Sequence, residues 1–501
     1  MSSSNNSEKK IIMNTKMLIE ELKISKESVS FNSQNVPIRP HLTHRALPLA
    51  ALALMAFASA AQPPAHGERN LAEPALAGEK GIVVTPDSTT ESVTAEGRKI
   101  IRYVHPVQLG SEGDGVTNQY FYVTLPKTNA AQLPPLIVYL HSAGGNAESG
   151  ADAGRGQGFL STAGPEFMLL EPNCASPNGT GGWWGWNQAE KNGATKSALE
   201  TPVEQRVLAT IEWVVQKYHV DRNRIYLCGI SMGGCGSLGI GMHHGDIFAA
   251  INVHVPAGAG FAMLRMQFPD PVPPTATPDE KDKYLRKVSG AGLPDAPPIV
   301  DFSSSDDSWS GDQHRLLQAA HDGRHALVLG WGPYGHEGFQ AVTDPLKYPE
   351  SWRATLEYPW LSIRKNEAYP VFTDASTDQR WKTAPETCGQ INGFTRWKNI
   401  KDTPGEFAIQ LQLVDSSELS AQAFIPKQVI ANVTLRRLQQ FKVIDKNEYT
   451  WTCKSANVSL AGTLKPDAAN LLTFPQLPIT RLPVLLSIKS VPAGASVPHG
   501  R

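Results

Sequence analysis

A serine hydroxyl is a weak nucleophile unless a base stands beside it and a carboxylate orients that base. The chemistry of this chain therefore turns on where a serine, a histidine and an acid can meet. Gly229-Ile230-Ser231-Met232-Gly233 has the G-x-S-x-G spacing of a strand-to-helix turn that lifts a serine Oγ clear of a sheet. The bare pattern is common. Here it directly follows the apolar run Arg224-Ile225-Tyr226-Leu227-Cys228 and opens a stretch of small residues, Gly234, Cys235, Gly236 and Leu238. The flanking glycines suit a turn too tight for Cβ atoms. The competing reading is a glycine-rich turn whose serine only caps a helix.

The base is expected downstream, after the acid. His336 lies in Gly332-Pro333-Tyr334-Gly335-His336-Glu337-Gly338-Phe339, a glycine-rich loop beyond the last apolar strand. His314, His321 and His325 fall in helical or pre-strand sequence instead. For the acid, Asp301 is inside a strand and comes too early. Asp306 stands at the expected distance past the strand and is favoured, with Asp307 and Asp312 open alternatives. An oxyanion needs two backbone N–H donors. Met232, the residue after the nucleophile, supplies one, and the loop His141-Ser142-Ala143-Gly144-Gly145 has the form expected of the second.

Such residues need a rigid platform. Residues 98–125 alternate apolar and polar, as in an edge hairpin. Residues 136–140 and 167–170 are continuous apolar runs, typical of parallel strands buried on both faces. Val207, Leu208, Ile211, Val214 and Val215 recur at helical spacing. Strand-like runs follow at 224–228, 249–255, 298–302 and 326–329, and a last helix is expected near 351–365. Alternating strands and helices predict a doubly wound, mostly parallel sheet. Residues 258–295 break the pattern with a proline-rich insertion of the kind that forms lids or binding loops. From about 373 short strands follow without helices, which predicts a separate small β-sandwich.

The 501 residues include 42 Gly and 38 Pro, below the ~25–30% of low-complexity chains. Hydrophobic content of 41% and charged content of 19% describe a globular protein, and a formal charge of -1 argues against a nucleic-acid partner. Residues 46–61 are apolar, end in Ala58-Ser59-Ala60 and are too short to span a bilayer. They read as a signal peptide, so export to the periplasm or medium is expected, with no lipid anchor because no Cys stands at the cleavage region. The expected organisation is a leader and signal over 1–61, a linker over 62–97, a catalytic domain over 98–372 and the sandwich over 373–501. Five cysteines without C-x-x-C or Cys/His ligand spacing support neither a disulfide scaffold nor a zinc site. Cys228 and Cys235 are expected as buried thiols, and Cys388 with Cys453 is the one pair worth entertaining. Neither a cofactor nor a metal is implied. His243-His244 could pass for metal ligands, but neighbours on a helix do not share a face, so a solvated helix end is expected. Arg436-Arg437 reads as a solvated strand face.

Together, His141-Ser142-Ala143-Gly144-Gly145, the later Glu171-Pro172-Asn173-Cys174, the segment 220–234, Asp246-Ile247-Phe248-Ala249-Ala250 and the His336 loop resemble the secreted α/β-hydrolase esterases. That group includes feruloyl and acetylxylan esterases, polyhydroxybutyrate depolymerases and similar predicted peptidases. The resemblance covers roughly 98–372. It implies a cofactor-free Ser–His–Asp mechanism through an acyl-enzyme, on Ser231, His336 and Asp306. In its usual His-Gly-x-Gly loop the x residue donates to the oxyanion, a place that falls on Ala143, with Ser142 where glycine is common. The expected function is an exported serine esterase acting on carbohydrate esters of acetyl or feruloyl type. The alternatives are a polyester depolymerase, a serine peptidase or a non-catalytic binding protein. Trp183, Trp184, Trp186 and Asn187 in the glycine-rich stretch 181–187 are candidates to stack on and hold a sugar or aromatic acyl group, or else to pack on the sheet. Trp309 and Trp331 could wall the same pocket.

Overall fold

A computed structural model describes residues 86–94, 97–104, 120–128, 132–148, 155–174, 182–183, 202–256, 277, 295–307, 310, 313–336, 353–379, 381, 388–420 and 423–490. The signal-like segment 46–61 and nearly all of the insertion 258–295 lie outside them. Among the described residues no helix is long and apolar enough to cross a membrane.

The frame is a ten-stranded sheet, in the order β1 (Asp87–Val93), β2 (Lys99–Val104), β3 (Tyr120–Thr124), β5 (Met168–Pro172), β4 (Leu136–Leu140), β6 (Ile225–Ile230), β7 (Ala250–His254), β8 (Ile299–Ser304), β9 (Leu327–Gly332) and β11 (Gly389–Ile391). The six strands from β5 to β9 in that order are mutually parallel, and the edges are antiparallel. Every residue of β4, β5, β6, β8 and β9 is buried. This is why 136–140 and 167–170 read as unbroken apolar runs, whereas β8 is equally buried yet carries Asp301, Ser303 and Ser304. The linker expected over 62–97 gives up its last part to β1, which pairs with β2.

The connecting helices are α1 (Arg155–Ser161), α2 (Pro202–Tyr218), α3 (Met232–Gly241) and α4 (Gln313–Gly323). Val203, Val207, Ile211, Val214 and Val215 of α2 are buried in one cluster with β3, β4 and β6 residues such as Phe121, Leu136 and Leu227. The helix expected near 351–365 is shorter than its apolar content suggested: one turn, α5 (Arg353–Leu356), then a 3-10 turn at Trp360–Ser362. Pro359 separates the two and cannot continue a helix.

The remaining strands among the described residues are all antiparallel. β10 (Tyr369–Thr373), β14 (Gln428–Arg436) and β17 (Thr473–Thr480) form one sheet. β12 (Thr395–Asp402), β13 (Glu406–Leu413), β18 (Val484–Ser490), β15 (Tyr449–Lys454) and β16 (Ser459–Leu464) form another. Alternate residues of both, including Phe372, Phe407, Ile409, Val433, Phe474 and Leu486, share one core. The boundary expected at 372/373 is not a single crossing. β10 already belongs to the small sheets, and β11 returns to the edge of the large one against β9. Arg436 is buried at this seam, against His325 at 3.2 Å and Asp295 at 3.5 Å. Arg437 stacks on Tyr369 and donates to the carbonyls of Ala249 and Gly245. The pair therefore ties the two regions together and is not the solvated face expected of it.

Candidate active site

Ser231 sits between β6 and α3 with φ 56° and ψ −120°, a conformation that non-glycine residues rarely hold. Its N–H donates to the carbonyl of His254, and its carbonyl accepts from Cys235 to start α3. The turn leaves no room around it. A Cβ on Gly229 would lie 2.4 Å from the Gly233 backbone, and one on Gly233 would lie 1.8 Å from the Leu140 carbonyl oxygen. The two glycines thus let the elbow close and let β4 press against it.

His336 Nε2 is 2.8 Å from Ser231 Oγ, and its Nδ1 is 2.8 Å from Asp307 Oδ2. A carboxylate only accepts, so Nδ1 carries the proton and Nε2 is left to accept from the serine. Asp307 is buried, with a further hydrogen bond from Ser310 Oγ at 2.9 Å, whereas the imidazole is about a third exposed at 32%. Asp306, the favoured acid, is exposed and accepts from the Gly335 N–H at 2.8 Å. The acid facing the imidazole is its neighbour. After β8 the chain turns, with Asp307 N–H donating to the Ser304 carbonyl, and successive side chains point to opposite sides. One side chain braces the loop and the other faces the ring. Distance along the sequence could not separate two adjacent aspartates.

The loop after β4 is held against the elbow. Ser142 Oγ donates to the Ile230 carbonyl at 2.9 Å, and Gly145 N–H donates to Ser142 O across a turn in which Gly144 takes φ +73°. The serine at the usual glycine position is thus a clamp between loop and elbow. Ala143 is exposed at the tip of this turn. Met232 begins α3, whose amino-terminal N–H groups and dipole favour negative charge nearby. The strand order β5-β4-β6 reverses direction at β4, the place where open sheets of this kind bind ligands beyond their strand ends.

His141 anchors the loop from below. Its Nε2 accepts from the Cys174 N–H at 3.0 Å, so Nδ1–H donates to Ser142 O at 2.9 Å. Burial pushes its pKa down to about 4, and the ring is a neutral post rather than an acid or base. Trp183 closes the set. It is fully buried, donates from Nε1 to His141 O at 2.8 Å, and fills the space a side chain on Gly236 would need. Its assignment to substrate is therefore corrected: this ring is packing. Trp184, Trp186 and Asn187, the rest of that group, lie outside the described residues, as do Trp309 and Asp312. Trp331 is also core, against Trp381 at 5.4 Å. Sequence reasoning did not single out His141 or Ser142 as structural posts. A histidine directly after the apolar run 136–140 and three residues before a glycine pair was the available signal.

The other candidates are placed elsewhere. Asp301 is inside β8 with Ser303 and Gln313 on its carboxylate, and burial pushes its pKa up to about 7. His314 is exposed, His321 bonds Asp322 and Asp374, and His325 is buried at the seam. All five cysteines are free thiols, so Cys388 and Cys453 are not paired. His243 and His244 are not solvated: their side chains are 1% and 12% exposed and face Glu204.

Residues 119–267 match the family model described as Esterase PHB depolymerase. Feruloyl esterase B of Neurospora crassa is 28% identical over 145 residues, 28% of this chain and 46% of that protein. Acetylxylan esterase A of Emericella nidulans is 26% identical over 163 residues, 32% of this chain and 50% of that one. The chain thus spans about half the length of the curated relatives it matches. A solved ferulic acid esterase covers 49% of this chain and 95% of its own at 16% identity and a TM-score of 0.33. The matched stretch contains β3 to β7, the loop after β4 and the turn at Ser231, and over it this chain is similar to the feruloyl esterase, acetylxylan esterase and polyhydroxybutyrate depolymerase group of esterases.

Proposed function

We propose that the protein is a serine esterase that cleaves carboxylic esters through an acyl-enzyme. The observation that carries the reading is the single imidazole of His336, 2.8 Å from both the Ser231 hydroxyl and the Asp307 carboxylate. As Ser231 Oγ bonds to the ester carbonyl carbon, its proton passes to His336 Nε2, and the Asp307 carboxylate stabilises the imidazolium. The carbonyl oxygen takes up the negative charge between the N–H groups of Met232 and Ala143. Collapse breaks the bond to the alcohol, which leaves with the proton from Nε2. Water then attacks the acyl-Ser231 ester by the same proton path and frees the acid.

The substrate reading is a carbohydrate ester of acetyl or feruloyl type, supported by the two curated relatives. A polyester substrate is the second reading, favoured by the family description matched over 119–267. The protein is read as exported, and the two antiparallel sheets as an accessory β-sandwich beside the catalytic region. Hydrolysis is to be measured on p-nitrophenyl acetate, methyl ferulate, acetylated xylan and a polyhydroxybutyrate suspension. Release of acid from the first three with little from the polyester is expected. Turnover that survives Ser231→Ala would overturn the mechanism, and preference for the polyester would overturn the substrate class.

A further inference from the structure

We propose that Glu204, His243 and His244 form a second site, for one divalent transition-metal ion of the zinc class. The site would join the first turn of α2 to the turn that follows the nucleophile helix. The three residues each turn a ligand atom inward, all within 4.8 Å of one another. Glu204 Oε1 lies 3.5 Å from His243 Nδ1 and 3.4 Å from His244 Nε2. These separations are longer than the ~2.9 Å of a good N–H···O bond. They match the about 3.3–3.4 Å between neighbouring ligands of a tetrahedral ion bound at ~2.0–2.1 Å. Two imidazole nitrogens and one carboxylate oxygen are a common zinc donor set and leave a fourth position for water.

The surroundings suit an ion held for structure. The Glu204 side chain has no exposure and that of His243 has 1%, and a buried carboxylate favours a nearby positive charge. The other nitrogen of His244 faces Asp246 Oδ1 at 3.9 Å, too far for a direct hydrogen bond but near enough for the carboxylate's charge to favour a cation held by that ring. α3 ends at Gly241, so His243 and His244 lie beyond it, where the helical rule that splits neighbouring side chains no longer applies. At ~1.5 Å rise per residue the site is on the order of 18 Å from Ser231. It would therefore brace α3 and would not touch substrate.

The test uses the full chain after chelator treatment. Zinc chloride is titrated by calorimetry, Co(II) is followed by its visible d–d absorption, and the melting temperature is read with and without zinc. One ion per chain is expected, with tetrahedral-intensity Co(II) bands and a rise in Tm of several degrees at saturation. Glu204→Gln with His244→Gln should weaken binding at least about a hundredfold and remove the Tm rise. If that double variant does not fold, His244→Gln alone at the partly exposed ligand carries the test. His336→Asn should leave binding and the Tm rise intact. Absence of stoichiometric binding, binding unchanged in the Glu204/His244 variants, or binding lost in His336→Asn would each overturn the proposal.

Discussion

The two ends of helix α3 both gather histidine and carboxylate, and they are built for different work. At the amino-terminal end, Ser231, His336 and Asp307 form a line whose links are both 2.8 Å. Such contacts are short enough to pass a proton, and the imidazole in the middle stays partly open to solvent. At the far end, the carboxylate of Glu204 stands 3.4 and 3.5 Å from two imidazoles in a nearly closed pocket. Proton transfer needs a chain of hydrogen bonds with an accessible terminus. A shared cation needs several donors around one point, each kept beyond hydrogen-bond contact with the others. The same residue types thus take on either task, and spacing and access decide which.

The sharpest way to break this comparison is to remove the serine. Ser231→Ala should lower kcat on p-nitrophenyl acetate by about 10⁴–10⁶-fold and leave the zinc response at the other end untouched. Substitution of the acid follows. Asp307→Asn should lower kcat about 10⁴-fold, because the amide would favour the wrong imidazole tautomer. Asp306→Asn should stay within a few-fold, since an amide oxygen can still accept from Gly335. Steady-state rates for the two variants, side by side, decide it. A severe loss in Asp306→Asn with near-wild-type rates in Asp307→Asn would reverse the assignment.

Packing at the elbow gives the next largest effect. Gly233→Ala would place a Cβ 1.8 Å from a main-chain oxygen of β4, where no flexible side chain can yield. A loss of about 3 kcal/mol or more in unfolding free energy is expected from denaturant melts. At the other end of the helix, a Cβ on Gly241 would meet the tip of Ile251 at 2.6 Å. Gly241→Ala should therefore cost less, because a side chain can shift. Equal losses at both positions would show that the elbow is not the more constrained end.

These contrasts also explain what could be read beforehand. The elbow was legible because its chemistry is local: an apolar strand, two glycines that permit a close turn, and a serine between them within five residues. The parallel strands were legible because burial on both faces leaves nothing but apolar side chains in β4 and β6. Asp307 was harder, since the choice between two adjacent aspartates depends on which way a turn points each carboxylate. The Glu204 cluster was invisible for a different reason. Glu204 is far in the chain from the adjacent His243 and His244, and the helix whose periodicity argued against those two stops two residues before them. Trp183 misled because clustered tryptophans on a glycine-rich stretch look like a stacking surface. Gly236 instead leaves a hollow in α3 that the ring fills. β11 was missed because three residues at a sheet edge carry too little periodicity to register.

The last effect concerns acid. His141 supports the loop beneath Ser142 and is neutral in the fold, with a pKa lowered to about 4 by burial, against ~6.5 in an unfolded chain. Above pH 6.5 the ring is neutral in both states and contributes no pH dependence. As pH falls from 6.5 toward 4 the unfolded chain takes up a proton that the folded chain does not, so stability must fall over that window. The loss attributable to this ring is about 3 kcal/mol. His141→Gln has no such group. It should be less stable than the parent at pH 7.5, where the bonds to Cys174 and Ser142 are lost, and the gap should narrow by about that amount by pH 4. Denaturant melts of the two chains across this range measure the narrowing. A gap that stays constant from pH 7.5 to 4 would mean that the imidazole charges within the fold, and the loop after β4 would then rest on a mobile support instead of a fixed one.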